Sequence, residues 1–184
     1  PPPGRTPPNC RAEALRLGLA RLATSSPAAC LSLTRAMLLV KADAGSCWPA
    51  RKAALSPQPV ASLSRELSLA RALLTKHPKS PGLWEHRRWC LSRLFGVDGG
   101  GAHRPLSLPP PPLPAEVVAG ELELCAWIAD LYPKNYYAWM HRLWLLRGMD
   151  AAGAAAEVTA AEAWLRTHPS DHSAASHRLK AAEA

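Results

Sequence analysis

The sequence predicts an all-α chain, an α-α superhelix made of stacked helical hairpins. Three observations predict it. A Trp-His-Arg segment recurs along the chain, an apolar stripe at helical spacing precedes each copy, and a proline-bearing turn separates the two.

The repeat is plainest in "YPKNYYAWMHRLWLL" (132–146) and "HPKSPGLWEHRRWCL" (77–91), which align at an offset of 55. Trp84 pairs with Trp139, His86 with His141, Arg87 with Arg142 and Trp89 with Trp144. "HPSDHSAASHRLKAA" (168–182) follows at an offset of 36 and keeps His177 and Arg178. "KADAGSCWPARKAAL" (41–55) precedes, again by 36, and keeps Trp48 and Arg51. The period is therefore 36, and the surplus residues are "VDGGGAHRPLSLPPPPLPA", a Gly/Pro-rich insertion.

Taken in order, residues 1–27 are Pro-rich and are expected to be disordered. The first unit, 28–60, is preceded and opened by a weak stripe of Pro27, Leu31, Thr34 and Leu38. The second, 61–96, carries Leu63, Leu67, Ala70 and Leu74, one face of a helix. The insertion 97–115 is expected to be disordered, because its prolines and glycines cannot hold a helix. The third unit, 116–150, repeats the stripe as Val118, Leu122, Cys125 and Ala129; the fourth, 151–184, as Ala154, Val158, Ala161 and Leu165. Between the helices, Pro78, Pro133 and Pro169 stop the first, and Ser80, Asn135 and Asp171 are placed to cap the second.

Composition narrows the classes of function. No apolar run approaches the roughly 18–20 residues of a membrane span, so stable membrane insertion is not expected. Five Cys without a CxxC pair argue against a disulfide framework and a zinc ribbon, so a cytoplasmic, reducing setting is expected. With no initiator Met, the chain reads as a piece of a longer product. The net charge of +8 permits an acidic partner without selecting one. Nucleic acid is not expected, since the aromatics fall in the repeated core register instead of on a stacking face.

Residues that recur from hairpin to hairpin read as packing. Trp48, Arg51, Trp84, Arg87, Trp89, Trp139, Arg142, Trp144 and Arg178 are therefore expected to build the repeat core, with Arg stacked on Trp at i+3. The repeated His residues are expected to make hydrogen bonds, and no metal site is expected. Lys134 and Tyr136 differ, because only one unit holds the whole Lys-Asn-Tyr turn. A Lys and a Tyr hydroxyl beside a helix N-terminus and its free amides suit an anion. The alternative is a solvated lysine beside a packed aromatic.

The unit "PKNYYAWMHRLWLL" resembles the protein prenyltransferase α-subunit repeat, Pro-x-Asn-Tyr-x-x-Trp-x-x-Arg-x-x-x-Leu, and the resemblance covers roughly residues 28–184. Pro81 and His172 replace its Tyr in two units, and Ala175 replaces its Trp in one. The resemblance implies a crescent of hairpins around a separate β subunit, which carries the zinc and most of the isoprenoid pocket. This chain would then bind no cofactor itself. Geranylgeranyl transfer to C-terminal cysteines of protein substrates, with the Rab-type β subunit, is implied as the activity. Lys134 and Tyr136 are implied to face the isoprenoid diphosphate. A non-catalytic helical scaffold that kept the fold and lost the chemistry is the rival reading.

Overall fold

A computed structural model describes residues 10–96 and 109–183, and the described residues form helices and connecting turns with no strand. Residues 97–108, most of the expected disordered insertion, lie outside the described residues, as do residues 1–9. The chain divides into two compact units, Pro1–Pro59 and Val60–Ala184.

The first unit holds α1 (Cys10–Leu22), α2 (Pro27–Val40) and α3 (Cys47–Leu55). Helix α1 corrects the expectation of disorder through residue 27. Beyond the prolines, "CRAEALRLGLARL" is almost wholly Ala, Leu, Arg and Glu, the strong helix formers, and Glu13 pairs with Arg16 one turn on at 2.7 Å. Its contact with α2 runs past Gly18, where a Cβ would lie 2.7 Å from Sδ of Met37. Helix α2 opens on Pro27, and Ser26 accepts from the Ala29 amide. Its buried stripe is Cys30, Thr34, Met37 and Leu38, so Pro27 begins the helix without joining the core. Against it, α3 sets Trp48, which donates to the Ala42 carbonyl at 2.8 Å, and Arg51, which donates to the Leu31 carbonyl and to Thr34 Oγ1.

The second unit holds three hairpins: α4 (Ser62–Leu74) with α5 (Pro81–Phe95), α6 (Ala115–Leu131) with α7 (Tyr136–Leu146), and α8 (Ala151–Thr167) with α9 (His172–Ala182). The second helices are also neighbours, α5 against α7 and α7 against α9. Helix α7 is therefore central, and every residue from His141 to Leu146 is buried. Trp144 packs with Leu91 and Leu145, and Trp139 with Ala161 and Ala174.

The insertion is corrected at its carboxyl end. Pro110 and Pro111 are buried, Leu113 packs beside Trp144, and α6 already starts at Ala115. Proline rings bury apolar surface with almost no side-chain entropy to lose, so a segment unable to form a helix still packs. Pro110 lies so close to Gly148 that a Cβ there would meet its Cγ at 2.7 Å. Among the described residues, no helix is long and apolar enough to cross a membrane. Cys30, Cys47, Cys90 and Cys125 are buried, and burial pushes the Cys47 and Cys125 thiols up, which suits packing and not nucleophilic chemistry.

Candidate functional site

The α6–α7 turn is built on Asn135, which is fully buried. Its Oδ1 accepts from the Tyr137 and Ala138 amides, and its Nδ2 donates to the Pro78 carbonyl at 3.0 Å. The same carbonyl accepts from Trp84 Nε1 at 2.9 Å. One side chain thus starts α7 and ties its hairpin to the preceding one. Replacing Asn135 with Ala is expected to lower the stability of the second unit by about 2–3 kcal/mol, as a lost cap plus a lost buried hydrogen bond to Pro78. Chemical denaturation checks this, and a loss below about 0.5 kcal/mol would contradict the double role.

Lys134 and Tyr136 flank this anchor, and both are exposed, Tyr136 at 54%. Lys134 has φ 60°, a left-handed conformation that a non-glycine residue adopts at a cost of roughly 1 kcal/mol. Its carbonyl accepts from the Tyr136 amide at 3.1 Å, and the Tyr136 ring meets Tyr137 edge-on. The free amides expected at this turn are therefore taken. The Tyr136 amide is held by the turn itself, and the Tyr137 and Ala138 amides by the Asn135 side chain. The ammonium and the phenol are what the turn offers to a ligand.

Beneath the turn lies a ladder of buried ions. Arg87 donates to both oxygens of Glu121 at 2.7 and 2.6 Å, and His141 donates Nε2 to the same carboxylate at 3.0 Å. Arg142 and His177 hold Glu157 in the same way, at 2.8, 2.7 and 3.0 Å. His86 meets Glu66 at 2.9 Å. Arg87 and Arg142 each reach forward to the glutamate of the next hairpin, and each His reaches back to the glutamate of its own. Burial pushes the Glu121 carboxyl up, but the His141 and Arg87 hydrogen bonds and the Arg87 charge outweigh it and hold it at about 2. Burial likewise raises Glu157, and its hydrogen bonds to His177 and Arg142 outweigh it to hold this carboxyl at about 2. Burial dominates at His141, which stays neutral down to about 4 despite the Glu121 hydrogen bond.

The remaining residues of the repeat fall as follows. Trp48, Arg51, Trp84, Arg87, Trp139, Arg142 and Trp144 are buried, and Arg142 lies over the Trp139 ring at 5.3 Å. Trp89 and Arg178 are not core residues. Trp89 is half-buried, stacked on His86 and under Arg93. Arg178 pairs with Glu162 of its own hairpin, both side chains 41% exposed, where Arg87 and Arg142 reach the following one. The apolar stripes and the Trp-Arg repeat do not bring out Glu66, Glu121 and Glu157. Their signal is nevertheless present, since they recur at the same offsets of 55 and 36 as the Trp and Arg residues. Asp171 is a cap with a second role that its position does not announce. Its Oδ1 caps α9 while Oδ2 accepts from the Trp139 and Trp164 indoles. Among the described residues, no group of three or more His, Cys, Asp or Glu could hold a metal ion.

Comparison with known proteins agrees with this repeat. Residues 63–94 and 118–149 match the model of the family described as "Protein prenyltransferase alpha subunit repeat". The chain is 32% identical over 157 residues to the Danio rerio "Protein prenyltransferase alpha subunit repeat-containing protein 1", covering 82% of this chain and 37% of that protein. It is 31% identical over 154 residues to the Homo sapiens protein of that name, covering 80% of this chain and 38% of that one. A stretch of 120 residues, 61% of this chain and 18% of the relative, is 32% identical to the Bos taurus "Geranylgeranyl transferase type-2 subunit alpha". The chain thus spans well under half the length of these relatives. The two matched hairpins are those joined by Arg87 and Glu121 and anchored by Asn135, and they match the protein prenyltransferase alpha subunit repeat.

Proposed function

We propose that this chain acts as the α-type, non-zinc subunit of a protein prenyltransferase, in the cytoplasm, and that it supports geranylgeranyl transfer to C-terminal cysteines of a protein substrate by a partner β subunit. The observation that carries the reading is the Lys134–Tyr136 turn. It sets a left-handed lysine and an exposed phenol on either side of the buried, hydrogen-bonded Asn135. The left-handed backbone at Lys134 costs stability, and a site that uses the ammonium gives a reason to keep it. In this reading Lys134 offsets charge developing on the leaving diphosphate, and Tyr136 donates a hydrogen bond to it. Zinc and the isoprenoid pocket belong to the β subunit, and this chain's own groups bind and orient.

A non-catalytic scaffold is the second reading. It is favoured by the engaged amides at the start of α7 and by His172 where the repeat has Tyr. Co-purification with prenyltransferase β subunits, followed by labelled geranylgeranyl transfer, separates the two. The enzyme reading expects a stable pair whose transfer falls roughly 100-fold in Lys134→Ala, as loss of one charge-stabilising donor predicts. A stable pair without transfer would leave the scaffold, and failure to pair with any β subunit would end the assignment.

A further inference from the structure

Residues 109–114, "PPPPLP", close the proline-rich insertion and belong neither to the repeat nor to the Lys134–Tyr136 turn. The proline rings fix φ, and Pro109, Pro110, Pro111 and Leu113 each precede a proline, which holds them extended. The segment forms no helix or turn, and Pro114 has φ −56° and ψ 144°. These are the angles of a polyproline II helix, with three residues per turn. Exposure follows that period. Pro109 and Pro112 are exposed, Pro110 is buried with Leu113 half-buried, and Pro111 is buried with Pro114 half-buried. One edge of the run faces solvent and two face the chain.

The chain holds this run against an aromatic side chain and a glycine. Leu113 packs on the cluster of Leu91, Trp144 and Leu145. Pro110 lies against Gly148, where a Cβ would meet its Cγ at 2.7 Å. Gly148 is not left-handed, so the room left by its missing side chain is what this approach uses. Among the described residues, the backbone groups from Pro109 to Leu113 make no hydrogen bond. Apolar packing alone keeps the run in place, and a segment held only that way opens locally at small cost. The run carries no charge to offer an ion or a nucleic acid. It offers proline rings and unbonded carbonyls on a preformed polyproline II helix, which is what an aromatic-lined proline-recognition groove reads.

We propose that Pro111, Pro112, Leu113 and Pro114 form a ligand for a proline-recognition domain of the WW type on a partner protein, kept in reserve on the chain's own Trp144 and Gly148. A WW groove takes proline rings between aromatic side chains and needs more than the one free edge, so the run is bound after it leaves Gly148 and the cluster. The two grooves compete for one segment, and the apparent affinity falls by the fraction of chains in which the run is released. Isothermal titration with an isolated WW domain that selects Pro-Pro-Leu-Pro tests this, on the whole chain and on an acetylated, amidated peptide of residues 109–116. The peptide is expected to bind, and the whole chain to bind roughly tenfold more weakly. Pro112→Ala, at an exposed position, is expected to abolish binding in both. Pro110→Ala removes the ring on Gly148 and leaves Pro-Pro-Leu-Pro intact. It is expected to leave the peptide's affinity unchanged and to bring the whole chain close to it. Gly148→Ala, which pushes on Pro110 from the other side, is expected to strengthen the whole chain's binding in the same way. Circular dichroism melts separate changed binding from lost fold. A peptide that does not bind at millimolar concentration, equal binding of Pro112→Ala and the parent, equal binding of peptide and whole chain, or release variants that bind no tighter than the parent chain would each overturn the proposal. Lys134 and Tyr136 take no part in it, so this proposal and the prenyltransferase reading fail independently.

Discussion

Glu121→Gln is expected to destabilise the second unit by about 3–5 kcal/mol, the range for removing one partner of a buried ion pair. Glu121 is 4% exposed and receives three donor atoms, Arg87 Nε, Arg87 Nη2 and His141 Nε2. A glutamine fills the same volume but turns one acceptor into a donor. Arg87, 6% exposed, then keeps its charge in a site without a counter-charge at bonding distance; the Leu67 carbonyl at 3.0 Å is its other acceptor. The same change loosens α6 from both α5 and α7, so the loss is shared by two hairpins. Urea unfolding of Glu121→Gln beside the exposed control Glu123→Gln measures it, with the control expected within about 0.5 kcal/mol of the parent. A loss below about 1 kcal/mol for Glu121→Gln would show that water or rearrangement relieves the arginine, and that the ladder is not what joins the hairpins.

The ladder also marks what is and is not legible in the sequence. Hairpins, turns and caps are legible because each rests on local physics: proline stops a helix, and Ser80, Asn135 and Asp171 cap the next within three residues. Trp139 and Arg142 are legible as packing because repetition implies a shared environment. Helix α1 is hidden by the prolines before it, although its own residues favour a helix. The second oxygen of Asp171 and the reach of Asn135 to Pro78 are not legible, since each joins residues of different hairpins. Val117 and Val118 open the apolar side of α6, and Glu121, three residues after Val118, interrupts it with a charge. An apolar template passes over such a break although its register repeats. For the candidate site, the sequence marks Lys134 and Tyr136 but not their setting.

Acid is expected to unfold the second unit progressively, beginning near pH 6.5 and continuing below pH 4. Three groups of the ladder have depressed values in the folded chain: His141 goes from 6.5 to about 4, and Glu121 and Glu157 each go from 4.5 to about 2. At each of them the unfolded chain binds a proton that the folded chain refuses. Stability therefore rises with pH wherever the two forms differ, and it is lost as pH falls. His141 acts first, between 6.5 and about 4, because a protonated imidazole would be buried, and would sit beside Arg88 and Arg87. The carboxylates follow between 4.5 and about 2, as protonation removes the counter-charge of Arg87 and Arg142. Well above pH 6.5 none of the three binds a proton in either form, and no further gain from them is expected. A tenfold difference in proton affinity between the folded and unfolded chains is worth about 1.4 kcal/mol, so the total is on the order of several kcal/mol, comparable to the stability of a small domain. Urea midpoints measured between about pH 7 and about pH 3 should fall throughout, and His141→Gln should flatten the upper part of the slope while leaving the lower part. A midpoint that stays level, or rises, as the solution is acidified would mean that the ladder is open to water and does not hold the hairpins by buried charge.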